Sequence, residues 1–119
     1  MESFIVTTSG EVSFTFPANG SDFSLKELQD SVNGYIEIVP IRKNVGPLIF
    51  KEFDKEGFAI KLTDEYIMIV NSDGKIESQQ FNYVATVLAT ASESISPGDW
   101  IAGDVLVCSC LLCTSPSPR

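Results

Sequence analysis

The sequence predicts an α+β domain that combines a mainly antiparallel sheet of six or seven short strands with two short amphipathic helices. Three observations lead to this fold class. Short β-rich runs are separated by turn residues, two segments carry the apolar spacing of helices, and 119 residues suffice for one domain of ordinary size. We expect residues 1–109 to form a single compact domain, with the helices against one face of the sheet.

The first two strands are predicted to form a hairpin. Residues 3–8 and 11–16 are rich in β-branched and aromatic side chains, and Ser9-Gly10 between them is a turn signal. Apolar and polar residues alternate along 11–16, which is typical of a strand buried on one face. Both observations predict an antiparallel pair at the start of the chain.

A capping box predicts the start of the first helix. The Ser24 hydroxyl can accept the backbone N–H of Glu27, while the Glu27 carboxylate can accept the backbone N–H of Ser24. Apolar residues then recur at helical spacing, and Gly34 is the residue expected to end the helix in the left-handed conformation. The predicted helix therefore covers residues 24–33.

The remaining elements are predicted from apolar runs between turn residues. Further strands are expected at 35–41, 58–62, 65–71, 76–79 and 100–108, and a second helix at about 81–91. Pro40 cannot donate a ladder hydrogen bond, so its strand is expected to end at a sheet edge or a bulge. Asn71 and Asp73 predict a tight turn in which Gly74 takes a positive φ. A second copy could cover the exposed sheet edges, so a homo-oligomer is one expectation.

Composition excludes several classes of function. Eight basic residues against sixteen acidic ones give a net charge of −8, which argues against a protein that holds a long phosphate backbone, so no direct nucleic-acid partner is expected. No apolar run reaches the ~18 residues of a membrane span, and no leader segment is visible, so a cytoplasmic location is expected. The chain contains no histidine, the commonest general base. We expect a non-enzymatic protein without cofactor or metal, since catalysis by carboxylates alone would need a suitably placed pair with one raised pKa.

The only cysteines, Cys108, Cys110 and Cys113, lie within six residues near the C-terminus. As a thiolate metal site they would lack the fourth ligand of tetrahedral geometry. The alternative is that residues 110–119 are a disordered, artefactual tail on a sequence of metagenomic source, because they resemble, with one residue different, the conceptual translation of a sequencing adapter. Cys108 would then be a lone buried thiol, which is typical of a reducing compartment.

Basic residues are concentrated in one segment of this acidic chain. Residues 42–61 carry five of the eight, together with three phenylalanines, whereas residues 1–40 carry one basic and six acidic side chains. We expect an anion pocket in which a guanidinium takes phosphate bidentately, lysines add point charges, and phenylalanine rings exclude water or stack a base. Its candidate ligand-binding residues are Arg42, Lys43, Lys51, Phe53 and Lys61. A solvated, charged loop is the alternative interpretation.

Four further residues are candidates for ligand contacts. Tyr35 offers a flat surface on which a base could stack, and Glu37 could accept hydrogen bonds from sugar hydroxyls or ring nitrogens. Asn71, at a turn, and Asn82, at a helix start, could each reach a ligand. The alternatives are packing at a helix–strand corner for the first pair, turn chemistry for Asn71 and helix capping for Asn82. Asp99 and Asp104 each follow a glycine and could be cation ligands, but two carboxylates from turns without further oxygens make a poor calcium site, so a structural role is favoured.

Four motifs follow one another in a fixed order over about residues 4–108. They are Leu25-x-x-Leu28-Gln29-x-x-Val32-x-Gly34-Tyr35-Ile36-Glu37, Asn71-x-x-Gly74-Lys75, Asn82-x-x-Ala85 and Ile101-x-Gly103-Asp104-Val105. Together they resemble the domain-of-unknown-function family numbered 3846. Two features depart from that pattern: residues 42–62 are interposed, and Gln80-Phe81 stands where the family often has proline. The resemblance implies a small phage or mobile-element protein inside an infected bacterium, and it supplies no catalytic residues.

The leading hypothesis is a phage-type binding protein that catalyses no reaction. It would act as an anti-defence sponge that sequesters a small phosphate-containing immune signal, such as a cyclic nucleotide or an ADP-ribose derivative. The basic, aromatic segment and the missing catalytic set indicate binding, while the anti-defence setting follows from the phage resemblance alone. In the alternative hypothesis, the acidic N-terminal region binds a host defence protein as an inhibitor or a nucleic-acid mimic.

Overall fold

Seven strands and two helices occur in residues 3–44, 48–50, 58–60, 66–75 and 79–109, the part of the chain that the computed structural model describes. In chain order they are β1 (Ser3–Val6), β2 (Val12–Phe14), α1 (Leu25–Val32), β3 (Ile36–Pro40), β4 (Leu48–Phe50), β5 (Phe58–Ile60), β6 (Tyr66–Asn71), α2 (Tyr83–Ala91) and β7 (Val105–Ser109). The predicted α+β class is confirmed.

One antiparallel sheet contains five of these strands in the order β2-β1-β7-β6-β3. The prediction of six or seven strands in the sheet is therefore wrong. The reason lies in the interposed basic segment, because β4 and β5 pair with each other in a separate two-stranded ladder. The strand expected at 76–79 falls mostly outside the described residues, and Gln79 is not in a strand.

The two helices cover opposite faces of the sheet, and the expectation that both lie on one face is wrong. Val105 and Val107 of β7 pack in one core with Val84, Ala85, Leu88 and Ala89 of α2. The alternate residues Leu106 and Cys108 pack in a second core with Leu28 and Val32 of α1. Because β7 is apolar on both faces, each face needs a helix to exclude water.

Local signals at the first hairpin and helix are confirmed, with one correction. β1 and β2 pair antiparallel around the predicted turn, and both hydrogen bonds of the capping box at α1 are present. The left-handed residue that ends α1 is Asn33, with φ 61°, and not Gly34. Gly34 is required for space, since a Cβ there would lie 2.6 Å from Nδ2 of Asn71.

Two further expectations near the second half of the chain need correction. Gly74 does not take a positive φ; a Cβ there would meet the Ala102 carbonyl oxygen at 3.2 Å, so it permits a close approach. Cys108 is buried and disulfide-bonded, and so is not a lone thiol. The strand expected from residue 100 begins at Val105, after a bridge between Phe81 and Ala102.

Strand β3 forms one edge of the five-stranded sheet, as predicted from its terminal Pro40. Its side chains alternate, so that Ile36 packs against the α1-side core and Val39 against the α2-side core. This exposed edge strand, β3, forms one wall of the candidate functional site. In the described residues no helix is long and apolar enough to cross a membrane.

Candidate functional site

A cleft runs along β3 on the α2 side of the sheet. Two neighbouring cavities of about 700 and 300 Å³ form it, and both are bordered by Glu37 and Val39 of β3 and by Ile95 and Asp99 of the segment between α2 and β7. Glu37 and Val39 share one face of the strand because side chains alternate along it. The cleft therefore lies between an edge strand and the loop that follows α2.

Charged side chains of both signs border the larger cavity. Glu37, Arg42, Glu93 and Asp99 all line it. Lys43 pairs with Glu93 across 3.0 Å from Nζ to Oε2, and both side chains are exposed. A solvent-exposed pair of this kind contributes about 0–1 kcal/mol to stability. It is a weak connection between the segment after β3 and the end of α2.

Arg42 is a cation of the larger cavity with no carboxylate partner among the described residues. It follows the buried Ile41 just after β3 ends, and it is exposed at the cavity wall. Lys26, Lys43 and Lys75, by contrast, are each paired with a carboxylate. A guanidinium presents five N–H donors in a planar fork. Arg42 can therefore take an anionic group that enters the cavity.

Lys75, Asp99 and Trp100 border the smaller cavity and contact one another. Nζ of Lys75 lies 2.5 Å from Oδ1 of Asp99 and 4.9 Å from the centroid of the Trp100 ring, within cation–π distance. The hydrogen bond from Lys75, and a second from the backbone N–H of Trp100, hold the pKa of Asp99 below its ordinary value of 3.8. Asp99 is therefore ionised at neutral pH and held in one orientation.

An open hollow of about 440 Å³ borders the same two residues, Asp99 and Trp100. Its remaining walls are Phe81, Thr86 and Gly98. The rings of Phe81 and Trp100 have centroids 5.8 Å apart and planes tilted by 47°, and Phe81 is half exposed. Asp99 is the one described residue that borders the hollow and both cavities.

Glu93, on the rim of the larger cavity, has a backbone conformation that is unusual for its residue type. Its φ is 56°, in the left-handed region. The N–H groups of Glu93 and Ser94 bond to the carbonyls of Thr90 and Ala89, the Schellman arrangement in which the left-handed position is usually glycine. Its carboxylate also lies at the negative end of the α2 dipole. Both features lower the stability of the helix end, so helix stability does not explain why glutamate stands at position 93.

The cleft brings together some of the residues predicted from sequence. Glu37 and Arg42 line the larger cavity, and Lys43 reaches its rim through Glu93. Tyr35 borders none of the three spaces and is 73% exposed. The other candidates of the basic segment, Lys51, Phe53 and Lys61, lie outside the described residues.

Asn71 and Asn82 serve the fold. Nδ2 of Asn71 donates to the carbonyls of Val32 and Asn33, so the buried side chain holds the end of α1 against β6, although Asn71 also borders the smaller cavity. Asn82 is fully buried and caps α2 through the Ala85 N–H. The structure thus supports the turn interpretation for Asn71 and the capping interpretation for Asn82, whose side chain is fully buried.

Several carboxylates of the acidic N-terminal region are already engaged within the chain. Glu27 accepts the backbone N–H groups of Ser24 and Ala18, which lower its pKa from the ordinary value of 4.5. Asp30 pairs with Lys26. These contacts stabilise α1 and the loop that precedes it. They leave fewer unpaired carboxylates for a basic partner than the composition indicates.

Sequence reasoning missed two cleft residues, Glu93 and Trp100, and it favoured a turn role for Lys75 and a structural role for Asp99. One signal was present, because the only tryptophan of the chain follows that aspartate in a polar loop. No local pattern connects the pair to Lys75, which is 24 residues away from Asp99 along the chain. Only the pairing of distant strands brings these groups together.

The described residues contain no group of three or more acidic or cysteine side chains that could hold a metal ion. No family model, no curated protein and no solved structure matches the chain. The resemblance to the family numbered 3846 therefore stays a prediction.

Proposed function

We propose that the protein binds a small phosphate-containing ligand in the cleft along β3 and sequesters it unchanged. The observation that carries the proposal is the position of Arg42, a guanidinium at the wall of a cavity of about 700 Å³ with no carboxylate partner among the described residues. A cavity of that size is within the usual range for small-molecule sites. A charged group left without a partner at a cavity wall can bind a ligand without first breaking an internal contact.

Arg42 and Glu37 would recognise different parts of the ligand. The guanidinium fork matches two phosphate oxygens and forms short, charge-assisted hydrogen bonds. Glu37 is exposed on the face of β3 that borders both cavities, where its carboxylate can accept hydrogen bonds from sugar hydroxyls or ring nitrogens. A molecule with a phosphate at one end and N–H or O–H donors at the other satisfies both groups.

Two of the three carboxylates around the larger cavity are paired with lysines, which reduces their repulsion of a phosphate. Glu93 is paired with Lys43, and Asp99 is paired with Lys75. More distant acidic residues of this chain, whose net charge is −8, are screened beyond ~8–10 Å at physiological ionic strength. Arg42 can therefore provide a local anion site on an acidic protein.

Capture without chemistry would act by lowering the concentration of free ligand below what its receptor needs. The phage-type motifs support a role against host defence, with cyclic nucleotides and ADP-ribose derivatives as the expected ligand class. In this role the protein releases the ligand chemically intact.

Calorimetric titration of the full chain with cyclic nucleotides and ADP-ribose tests the proposal. We expect stoichiometric binding of at least one of them, and a loss of about tenfold or more in affinity for Arg42→Ala, because a charge-assisted hydrogen bond is removed. Lys26→Ala is the matched control, since it deletes an exposed cation from α1 on the opposite face of the sheet. The Lys26→Ala variant should bind the same ligand with the affinity of the unchanged protein.

Absence of heat with every ligand of the panel would rule the proposal out. Equal weakening by Arg42→Ala and Lys26→Ala would also contradict it, because the effect would then depend on net charge and not on the cavity. Capture of a host protein in a salt-sensitive manner, unaffected by Arg42→Ala, would support the acidic-inhibitor hypothesis in its place.

A further inference from the structure

The hollow beside the cleft has two aromatic walls. Trp100 and Phe81 form a tilted ring pair, and both side chains border the hollow. Lys75, which lies over the Trp100 ring, borders the smaller cavity and not the hollow. Lys75 therefore does not occupy the hollow, which Trp100 and Phe81 border together. Gly98 adds no side chain to the floor, and nothing lies within 4 Å of where its Cβ would be.

Two polar side chains that border the hollow, Asp99 and Thr86, can each make a further hydrogen bond. Oδ1 of Asp99 accepts from both Lys75 and Trp100, while the described residues provide no donor to Oδ2. Oγ1 of Thr86 accepts the backbone N–H of Ile101 at 2.9 Å, and its own proton has no acceptor among the described residues. The hollow thus offers one acceptor and one donor beside two rings.

We propose that this hollow is a base subsite that takes a nucleobase with an amino group next to a ring nitrogen, as in adenine. The ring would stack on Trp100 against Phe81, since every base has a π-face and stacking on aromatic side chains is a common means of recognition. The amino group would donate to Oδ2 of Asp99, and the ring nitrogen would accept from the Thr86 hydroxyl. Rings without that edge would stack but leave both polar groups unsatisfied.

The position of Asp99 connects this subsite to the phosphate site. Asp99 borders the hollow and also the larger cavity, whose wall contains Arg42. In this assignment the base lies in the hollow, and the phosphate enters the larger cavity on the far side of Asp99, where Arg42 is part of the wall. The inference rests on the proposed function, because it assigns the base half of the ligand whose phosphate half Arg42 binds.

The single tryptophan makes the subsite directly observable. We would titrate the full chain with ADP and with inorganic pyrophosphate, measuring Trp100 emission and calorimetric heat. ADP should bind roughly tenfold more tightly than pyrophosphate and change the emission, because only ADP carries a base to stack. Purine riboside 5′-diphosphate, which lacks the amino group, should stack and change the emission but bind several-fold more weakly than ADP.

Substitutions separate the base subsite from the phosphate site. Trp100→Leu should remove the preference for ADP over pyrophosphate, while Trp100→Phe keeps a ring and should retain most of it. Arg42→Ala should weaken both probes equally. Phe14→Leu is the matched control, because it removes a 66% exposed aromatic ring from β2, at the opposite edge of the sheet from β3. Circular dichroism establishes that each variant is folded before titration.

Equal affinity for ADP and pyrophosphate with unchanged emission would overturn the base subsite, while Arg42-dependent binding of pyrophosphate would leave the proposed function standing. Failure of ADP to bind would also overturn the base subsite, and the proposed function would then be judged on the calorimetric panel. An unchanged ADP preference in folded Trp100→Leu would place the base elsewhere and would equally overturn this assignment.

Discussion

Nζ of Lys75 lies 2.5 Å from Oδ1 of Asp99, and this contact joins the turn after β6 to the loop before β7, where Asp99 borders the hollow and both cavities. The same ammonium lies over the Trp100 ring. One lysine thus fixes a carboxylate and covers part of an indole. The contact positions two residues of the inferred base subsite, Asp99 and Trp100, before any ligand arrives.

The pKa of Asp99 should rise toward its ordinary value of 3.8 in Lys75→Met. The hydrogen bond from Lys75 is the largest cause of the lowered pKa, and the Trp100 backbone N–H remains in the variant, so the rise should be incomplete. Carboxyl NMR titration of Asp99 measures it directly. An unchanged pKa would mean that the backbone contact alone holds the carboxylate.

Stability should depend on pH through the same group. Because the folded pKa of Asp99 is lower than the unfolded value, its contribution to the free energy of unfolding is complete above the unfolded value and is lost as pH falls through the folded pKa. The stability difference between the unchanged protein and Asp99→Asn should therefore be constant above about pH 5 and shrink below pH 3.8. In a Lys75→Met background, denaturant unfolding should show a smaller pH-dependent difference.

Asn82→Ala should destabilise the protein by about 3 kcal/mol, since it removes a helix cap and leaves buried carbonyls without donors. The Asn82 side chain accepts the Ala85 N–H at 3.0 Å, and its Nδ2 donates to Val6 and Gly103 at 3.0 and 2.8 Å. Asn82→Ser keeps the cap acceptor and loses only the two donors, so it should cost about 2 kcal/mol. Urea unfolding measures both, and equal losses would show that the cap itself contributes nothing.

Asn82 and the capping box at α1 illustrate what could be predicted from sequence. A cap is a contact between residues three apart, so Ser24 with Glu27, and Asn82 before an apolar repeat, are visible in the sequence itself. The alternation of apolar residues likewise predicted the first hairpin. These features depend on neighbours along the chain and not on tertiary contacts.

The features that escaped prediction depend on residues distant in sequence. The sequence predicts a positive φ at both Gly34 and Gly74, yet each glycine makes room for a group from elsewhere, Asn71 in the first case and Ala102 in the second. The placement of the helices on both faces depends on how β7 is shared between two cores. The contact between Lys75 and Trp100 is invisible in the sequence for the same reason, because the two residues meet only after the turn and the loop come together.

Glu93→Gly should be more stable than Glu93→Ala by about 1 kcal/mol, because glycine adopts the left-handed conformation without steric cost. Both variants lose the exposed pair with Lys43 and both remove a carboxylate from the negative end of α2. The difference in stability between the two variants therefore measures the cost of the left-handed backbone conformation, φ 56°, for a residue with a Cβ. Thermal unfolding of the two variants checks it. Equal midpoints would mean that the left-handed conformation of residue 93 costs no stability.

Gly34→Ala should destabilise the protein by about 1–3 kcal/mol, although Gly34 has no positive φ and alanine would otherwise favour folding. The new Cβ would lie 2.6 Å from Nδ2 of Asn71, so the amide must move away from the carbonyls of Val32 and Asn33.

A double-mutant cycle tests that cause. Asn71→Ala already loses these hydrogen bonds, so adding Gly34→Ala to it should cost little, and the two effects should be far from additive. Additive losses in urea unfolding would show that Gly34 is needed for a reason other than the close approach of Asn71. Asn71 also borders the smaller cavity. Measuring the ADP affinity of the same variants therefore shows whether changes at the end of α1 alter binding in the cleft.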